Sequence, residues 1–337
     1  MSRTVVITGA SAGVGRAVAV ACGRRGDRVA LIARSRPGLD GAAAEVTAAG
    51  GEALVLPCDV ADADAVERAA NRVEAAFGSI DVWVNAAMVT VFSPVERLTA
   101  AELRRVTDVT YLGNVHGTLA ALARMRRRDR GTIIQVGSAL AYRGIPLQAP
   151  YCGAKHALRG FQDSVQAELR QEGSRVRLCM VQIPAVNTPQ FDWARSHVDG
   201  RPRPVAPAYQ PEAVAAHILA AMDRPRREVW VGAMTPLVAI GSFLAPAFAD
   251  WYLARTAVSD QTADEPPPPV RPDNLYTPAA GLHRTRGRFD AESAGRVVGA
   301  DAGLWRWGAF ALLAGTVTAA TAGLVARRSA PRPRLTS

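Results

Sequence analysis

The chain has 337 residues, 49% hydrophobic and 21% charged, enough apolar material for one large domain or two small ones and too much for a disordered protein. Its 40 Lys plus Arg against 30 Asp plus Glu give a net charge of +10, a balance that could serve nucleic acid or an anionic surface; yet Lys155 is the only lysine, the excess is scattered arginine, and no helix-turn-helix or basic-aromatic stripe accompanies it. Four distant cysteines (Cys22, Cys58, Cys152, Cys179) without a Cys-x-x-Cys pair argue against a disulfide scaffold or structural zinc, and an opening strand pattern without a signal peptide leads us to expect a reducing, cytoplasmic compartment.

From residue 4 to about 231, short β-branched runs alternate with longer Ala- and Arg-rich amphipathic stretches, the pattern of βαβ units. Strands are predicted at 4–8, 28–33, 53–58, 82–85, 132–137, 175–182 and 228–231. Together they make an α/β fold, a doubly wound parallel sheet of Rossmann type with seven strands. The segment TGASAGVG at 8–15 falls where the first strand turns into the first helix. Its Gly9, Gly13 and Gly15, with Ser11 and Val14 between them, let the backbone approach a diphosphate at the helix N-terminus. The second strand ends LIARSR. An acidic residue there would bind a ribose 2'-hydroxyl; Ala33 leaves the position uncharged and Arg34 follows, so NADP is expected rather than NAD, with Arg34 on its phosphate.

Asp59 and Val60 follow the third strand, and Asn85 and Ala86 end the fourth. The fifth strand runs into Ser138. Thirteen residues on, Tyr151 and Lys155 stand four apart, on one face of a helix. A phenol with a pKa near 10 exchanges protons poorly at neutral pH unless a nearby cation stabilises its anion, and the single lysine of the chain falls where it could do that. The five histidines have no ligand spacing, so no metal is expected.

Residues 1–235 are thus read as the catalytic domain. Residues 236–255 are apolar but interrupted by Pro236 and Pro246, which predicts short helices beside the substrate site. Residues 256–303, with DEPPPPVRPDN, read as a Pro-rich linker. Within 304–328, the stretch 307–326 is uncharged, ends at Arg327 and Arg328, and carries Ala311, Gly315, Ala319 and Gly323 at four-residue spacing. Its length matches a bilayer's hydrocarbon core, so it is expected either to span a membrane or to dock on a second protomer.

The glycine turn, the Asp59–Val60 pair, Asn85, Ser138 and the Tyr-x-x-x-Lys set resemble the short-chain dehydrogenase/reductase family in order and spacing, over about two thirds of the chain. The resemblance implies an NAD(P)-dependent oxidoreductase interconverting a carbonyl and an alcohol. It implies Tyr151 as general acid in reduction and base in oxidation, Ser138 on the substrate oxygen, and Lys155 on the phenol and the nicotinamide ribose. Cofactor contacts are implied at Gly9, Ser11, Gly13, Val14, Gly15, Arg34, Asp59, Val60, Asn85, Ala86, Tyr151, Lys155, Val186 and Thr188. Three positions depart from the family pattern. Thr110 stands where an Asn is usual, with Asn114 one turn later; NAAM at 85–88 replaces NNAG; and IPAVNT at 183–188 puts Pro184 in place of a glycine. An apolar small-molecule substrate, no nucleic acid and a homo-oligomer are expected. A non-catalytic dinucleotide-binding module tethered to a membrane or partner is the alternative, against which the complete Ser, Tyr and Lys set weighs.

Overall fold

In β1 (Thr4–Thr8), Val5 and Ile7 join one apolar cluster and Val6 another, all three fully buried. That alternation is what a strand covered on both faces requires. The computed structural model describes residues 2–265, 271, 273–308 and 310. Beyond β1, its main sheet comprises β2 (Arg28–Ala33), β3 (Glu52–Pro57), β4 (Val82–Asn85), β5 (Thr132–Val136), β6 (Arg177–Gln182), β7 (Glu228–Val231) and β8 (Gly299–Asp301). The order across the sheet is β8-β7-β6-β5-β4-β1-β2-β3. Every neighbouring pair is parallel except β7 with β8.

One face is covered by α1 (Gly13–Gly23), α2 (Arg36–Ala48) and α8 (Pro211–Asp223), whose Val18, Leu39 and Ile218 are fully buried against Val5, Ile7 and Leu31. The other is covered by α3 (Ala63–Phe77), α5 (Gly113–Met125) and α6 (Ala149–Gln171), which pack Val73, Met125 and Leu169 with Val6, Trp83 and Ile133. Before α5 lie α4 (Ala100–Thr107), closed by a Thr99–Glu102 capping box, and a π-helical turn at Asp108–Leu112. A short α7 (Gln190–Trp193) follows β6. Because the chain winds outward from β1 in one direction and from β4 in the other, a crevice opens at their C-terminal ends, where ligands of such sheets bind.

Two expectations need correction. The sheet has eight strands rather than seven: β8 is a Gly-Ala-Asp segment paired antiparallel to β7, with Val229 opposite Asp301. It lacks the β-branched run that marks a strand in sequence. The 256–303 stretch is not an extended linker over its described residues. Helices α9 (Met234–Leu244) and α10 (Pro246–Gln261) carry helical structure past residue 255. The chain then returns across the molecule, burying Leu275, Ala279, Phe289 and Ala302. Two-residue ladders tie it to the body, Thr262–Ala263 with Arg201–Pro202 and Ser293–Ala294 with Ala208–Tyr209. A few anchors and many arginine-to-carbonyl bonds hold it, and neither leaves a periodic hydrophobic signature. Residues 302–308 are helical, and among the described residues no helix is long and apolar enough to cross a membrane. Most of the 307–326 stretch lies outside the described residues.

Candidate active site

The turn between β1 and α1 is built for close approach. Gly9 has φ +72°, and a Cβ there would lie 2.8 Å from Ala87 Cα; one at Gly15 would collide with the Gly9 carbonyl. The Thr8 hydroxyl accepts hydrogen bonds from the Ala86 and Ala87 N–H groups (3.1 and 3.2 Å), tying this turn to the loop after β4. Helix α1 has no side-chain cap. Gly13 donates its N–H to the Arg284 carbonyl (3.0 Å), and the Val14 and Gly15 N–H groups have no backbone acceptor among the described residues. Unpaired donors at a helix N-terminus, over a floor bare of side chains, fit the diphosphate of a dinucleotide.

A cleft of about 720 Å³ runs from this turn past the end of β5 to α9 and α10. Gly9, Ser11, Gly13, Val14, Gly15, Arg34, Asp59, Val60, Ala86, Ser138, Tyr151, Lys155, Val186 and Thr188 all line it. Asn85 does not. Its side-chain amide is bonded in the core, accepting from Trp83 Nε1 (2.8 Å) and donating to Thr118 Oγ1 (3.2 Å). Asp59 is turned to protein partners, accepting from the Ala61 N–H (3.1 Å) and from Arg105 Nη2 (2.6 Å). Arg34, expected on a 2'-phosphate, donates to the main-chain carbonyls of Asn274, Leu275 and Tyr276.

Ser138 lies just beyond β5. Its N–H donates to Gln182 Oε1 (2.6 Å), and the Gln182 amide in turn donates to Glu228 Oε1 (2.9 Å). Its hydroxyl accepts from the Leu140 N–H (3.1 Å). Tyr151 stands in the first turn of α6, and burial pushes its phenol well above the ordinary range, with the Ser138 hydroxyl beside it pulling the other way. One turn on, Lys155 is 4% exposed; its Nζ donates to the Val136 carbonyl (2.8 Å) and sits 5.6 Å from the Tyr151 ring centroid. Burial brings the ammonium down to about 8. Neither Thr110 nor Asn114 lines the cleft. The Thr110 hydroxyl donates to the Val89 carbonyl (2.7 Å) and accepts from the Val89 N–H (3.0 Å), while the Asn114 amide caps the carbonyls of Thr110 and Ala87.

The position of Lys155 makes its titration directly measurable. Since its pKa is lowered on folding, the unfolded chain binds the extra proton between about pH 8 and 10.5. This group therefore costs stability below about 8, and the cost is relieved as pH rises through that window. Reductive methylation with ¹³C-formaldehyde labels the α-amino group and this one lysine, whose signal is assigned by its absence from Lys155→Met. Its resonance is expected to titrate near pH 8 in the free protein; a midpoint near 10.5 would contradict the burial described.

Asn274, Pro278, Ala279 and His283 also line the cleft and were not anticipated from the sequence. They come from the stretch that reads as a linker, and only the isolated apolar residues Leu275 and Phe289 could have hinted at docking.

The family described as short chain dehydrogenase matches residues 3–198. An uncharacterized oxidoreductase, YxnA of Bacillus subtilis (strain 168), is 32% identical over 283 residues, 83% of this chain and 80% of its own. Among solved structures, an alcohol dehydrogenase from the archaeon Thermococcus sibiricus, complexed with 5-hydroxy-NADP, superimposes with TM-score 0.58 and 28% identity, covering 68% of this chain and 96% of its own. A metagenomic short-chain oxidoreductase in complex with NADP gives 0.56 and 31%, covering 65% and 90%.

Proposed function

The chain belongs to the short-chain dehydrogenase family and is an NAD(P)-dependent oxidoreductase, and from that premise we propose that it interconverts a carbonyl and an alcohol on an apolar small molecule, with NADP(H) as the redox partner. The observation that carries the reading is the convergence of Ser138, Tyr151 and Lys155 on one cleft with the glycine turn. A nicotinamide dinucleotide held there supplies or accepts the hydride. In reduction the Tyr151 phenol gives its proton to the carbonyl oxygen, and the Ser138 hydroxyl donates a hydrogen bond to the same atom. The Lys155 ammonium stabilises the phenolate left behind. In the free protein burial keeps the phenol protonated, so the proton to be given is in place at neutral pH. In oxidation the same groups act in reverse.

Two features favour NADP. β2 ends at Ala33 without a carboxylate to repel a 2'-phosphate, and both solved neighbours are complexes with NADP or its 5-hydroxy derivative. The substrate end is walled by Leu140, Ile145, Phe191, Val205, Leu237, Val238, Phe248 and Leu253, which supports an apolar substrate. Purified full-length chain should oxidise NADPH with aliphatic aldehydes or ketones. Its kcat/KM should rise with chain length, by up to about fourfold per methylene for about 0.8 kcal/mol of burial. No oxidation of either dinucleotide across carbonyls and quinones would sink the reading, and preference for short polar carbonyls would sink its apolar part.

A further inference from the structure

Arg34 follows β2 at the place where a dinucleotide site of this topology reads the ribose 2'-position, yet its donors are aimed elsewhere. Nη1 donates to the carbonyls of Leu275 (3.2 Å) and Tyr276 (2.9 Å), and Nη2 to that of Asn274. Three bonds from one planar fork to three consecutive carbonyls fasten a peptide segment. Arg105 adds a fourth bond, from Nε to the Leu275 carbonyl (3.0 Å), while its Nη2 holds Asp59.

The segment continues as a wall of the cleft through Pro278, Ala279 and His283. The His283 ring lies against Trp193, with centroids 5.4 Å apart, and a Cβ on Gly38 would come within 2.7 Å of it. At the far end, the His283 carbonyl accepts from Arg16 Nη1 (2.7 Å) and the Arg284 carbonyl from the Gly13 N–H of the glycine turn (3.0 Å). His283 Nε2 faces the Ala279 carbonyl (2.9 Å) and must donate to it, so Nδ1 of the neutral ring is an acceptor. That Nδ1 is buried and has no partner among the described residues.

Resting on the reading that the cleft takes a nicotinamide dinucleotide, we propose that residues 274–284 form the outer wall of its adenosine half and that Arg34 is the latch of that wall. The guanidinium then governs entry and release of either dinucleotide, rather than choosing between them by the 2'-phosphate. Few side chains of the segment are buried, Leu275 and Ala279 foremost. Its closure therefore depends on arginine donors, and removing one fork loosens it without emptying a core.

The test uses full-length protein, stopped-flow fluorescence of NADPH and NADH release, and amide hydrogen exchange over 273–287 in the free protein. Arg34→Ala should speed release of both dinucleotides by similar factors, about tenfold or more for a lost fork, and raise exchange over the segment. Arg34→Lys should behave alike, because an ammonium keeps the charge but cannot span three carbonyls. It also serves as the second variant if the alanine form does not fold. Selective loss of NADPH, rescued by lysine and with exchange unchanged, overturns the proposal, and so do release and exchange that both stay at wild type. If the wild-type chain binds neither dinucleotide, the functional reading fails before any variant is compared; exchange in the free protein then still decides whether Arg34 holds the segment.

Discussion

Tyr151→Phe is expected to lower turnover by about 10²–10⁴-fold, the usual worth of a positioned general acid, while dinucleotide affinity stays near that of the wild type. The substitution removes one oxygen from the first turn of α6 and almost no volume, so the apolar wall and the glycine turn are untouched. What disappears is the proton that the substrate oxygen must receive as hydride arrives. The loss should fall on kcat, with KM for the dinucleotide little changed, as for a group that acts only in the transition state. Steady-state kinetics with a fluorescence titration of NADPH measure both quantities. Wild-type turnover in the variant would show that the proton comes from elsewhere.

Lys155→Arg is expected to be nearly as damaging, and for a different reason. The Lys155 ammonium is 4% exposed and donates to the Val136 carbonyl at 2.8 Å. Burial already brings this ammonium down to about 8, so the site has little capacity to stabilise a larger cation. Arginine stays charged, is planar and is bulkier. Overpacking and the fixed buried charge should cost about 1–3 kcal/mol of stability, read by urea denaturation. Turnover should fall at least about a hundredfold, and KM for the dinucleotide should rise as well. Lys155→Met separates the two effects, since it removes the buried charge and should fold as stably as the wild type while remaining impaired in turnover. An arginine variant with wild-type kinetics would overturn the argument from a compact donor.

β1, β2, β4 and β5 were legible because each is a short, largely buried run carrying β-branched residues, as Val5, Val6 and Ile7 illustrate. Ser138, Tyr151 and Lys155 were legible for a local reason. Four residues on a helix fix their common face, and the strand before them fixes where that helix starts. The partners that Arg34 and Asn85 take in the free protein were not legible, for the opposite reason: they are not local. The carbonyls that hold Arg34 lie 240 to 242 residues further along the chain, and the Asn85 amide is consumed by Thr118 on a helix of the next βαβ unit. No periodicity records where a main-chain carbonyl will end up, so a segment held through its carbonyls reads as linker. β8 was hidden likewise. A strand of Gly, Ala and Asp is a strand only because β7 offers it an unpaired edge.

That edge has a history during synthesis. β7 ends at Val231, but its outer neighbour begins only at Gly299. At about 5–20 residues per second, a nascent chain carries β7 as a bare rim for roughly three to fourteen seconds, the interval in which an open strand recruits a stray one. Glu228 sits at the head of β7, buried in the finished protein and bonded there to Tyr142, Gln182 and Arg306. Until Arg306 has been made, its carboxylate stands on the rim without that countercharge, and a second strand that docked there would have to bury it. The ion pair between Glu228 and Arg306 is thus among the last contacts the chain can make.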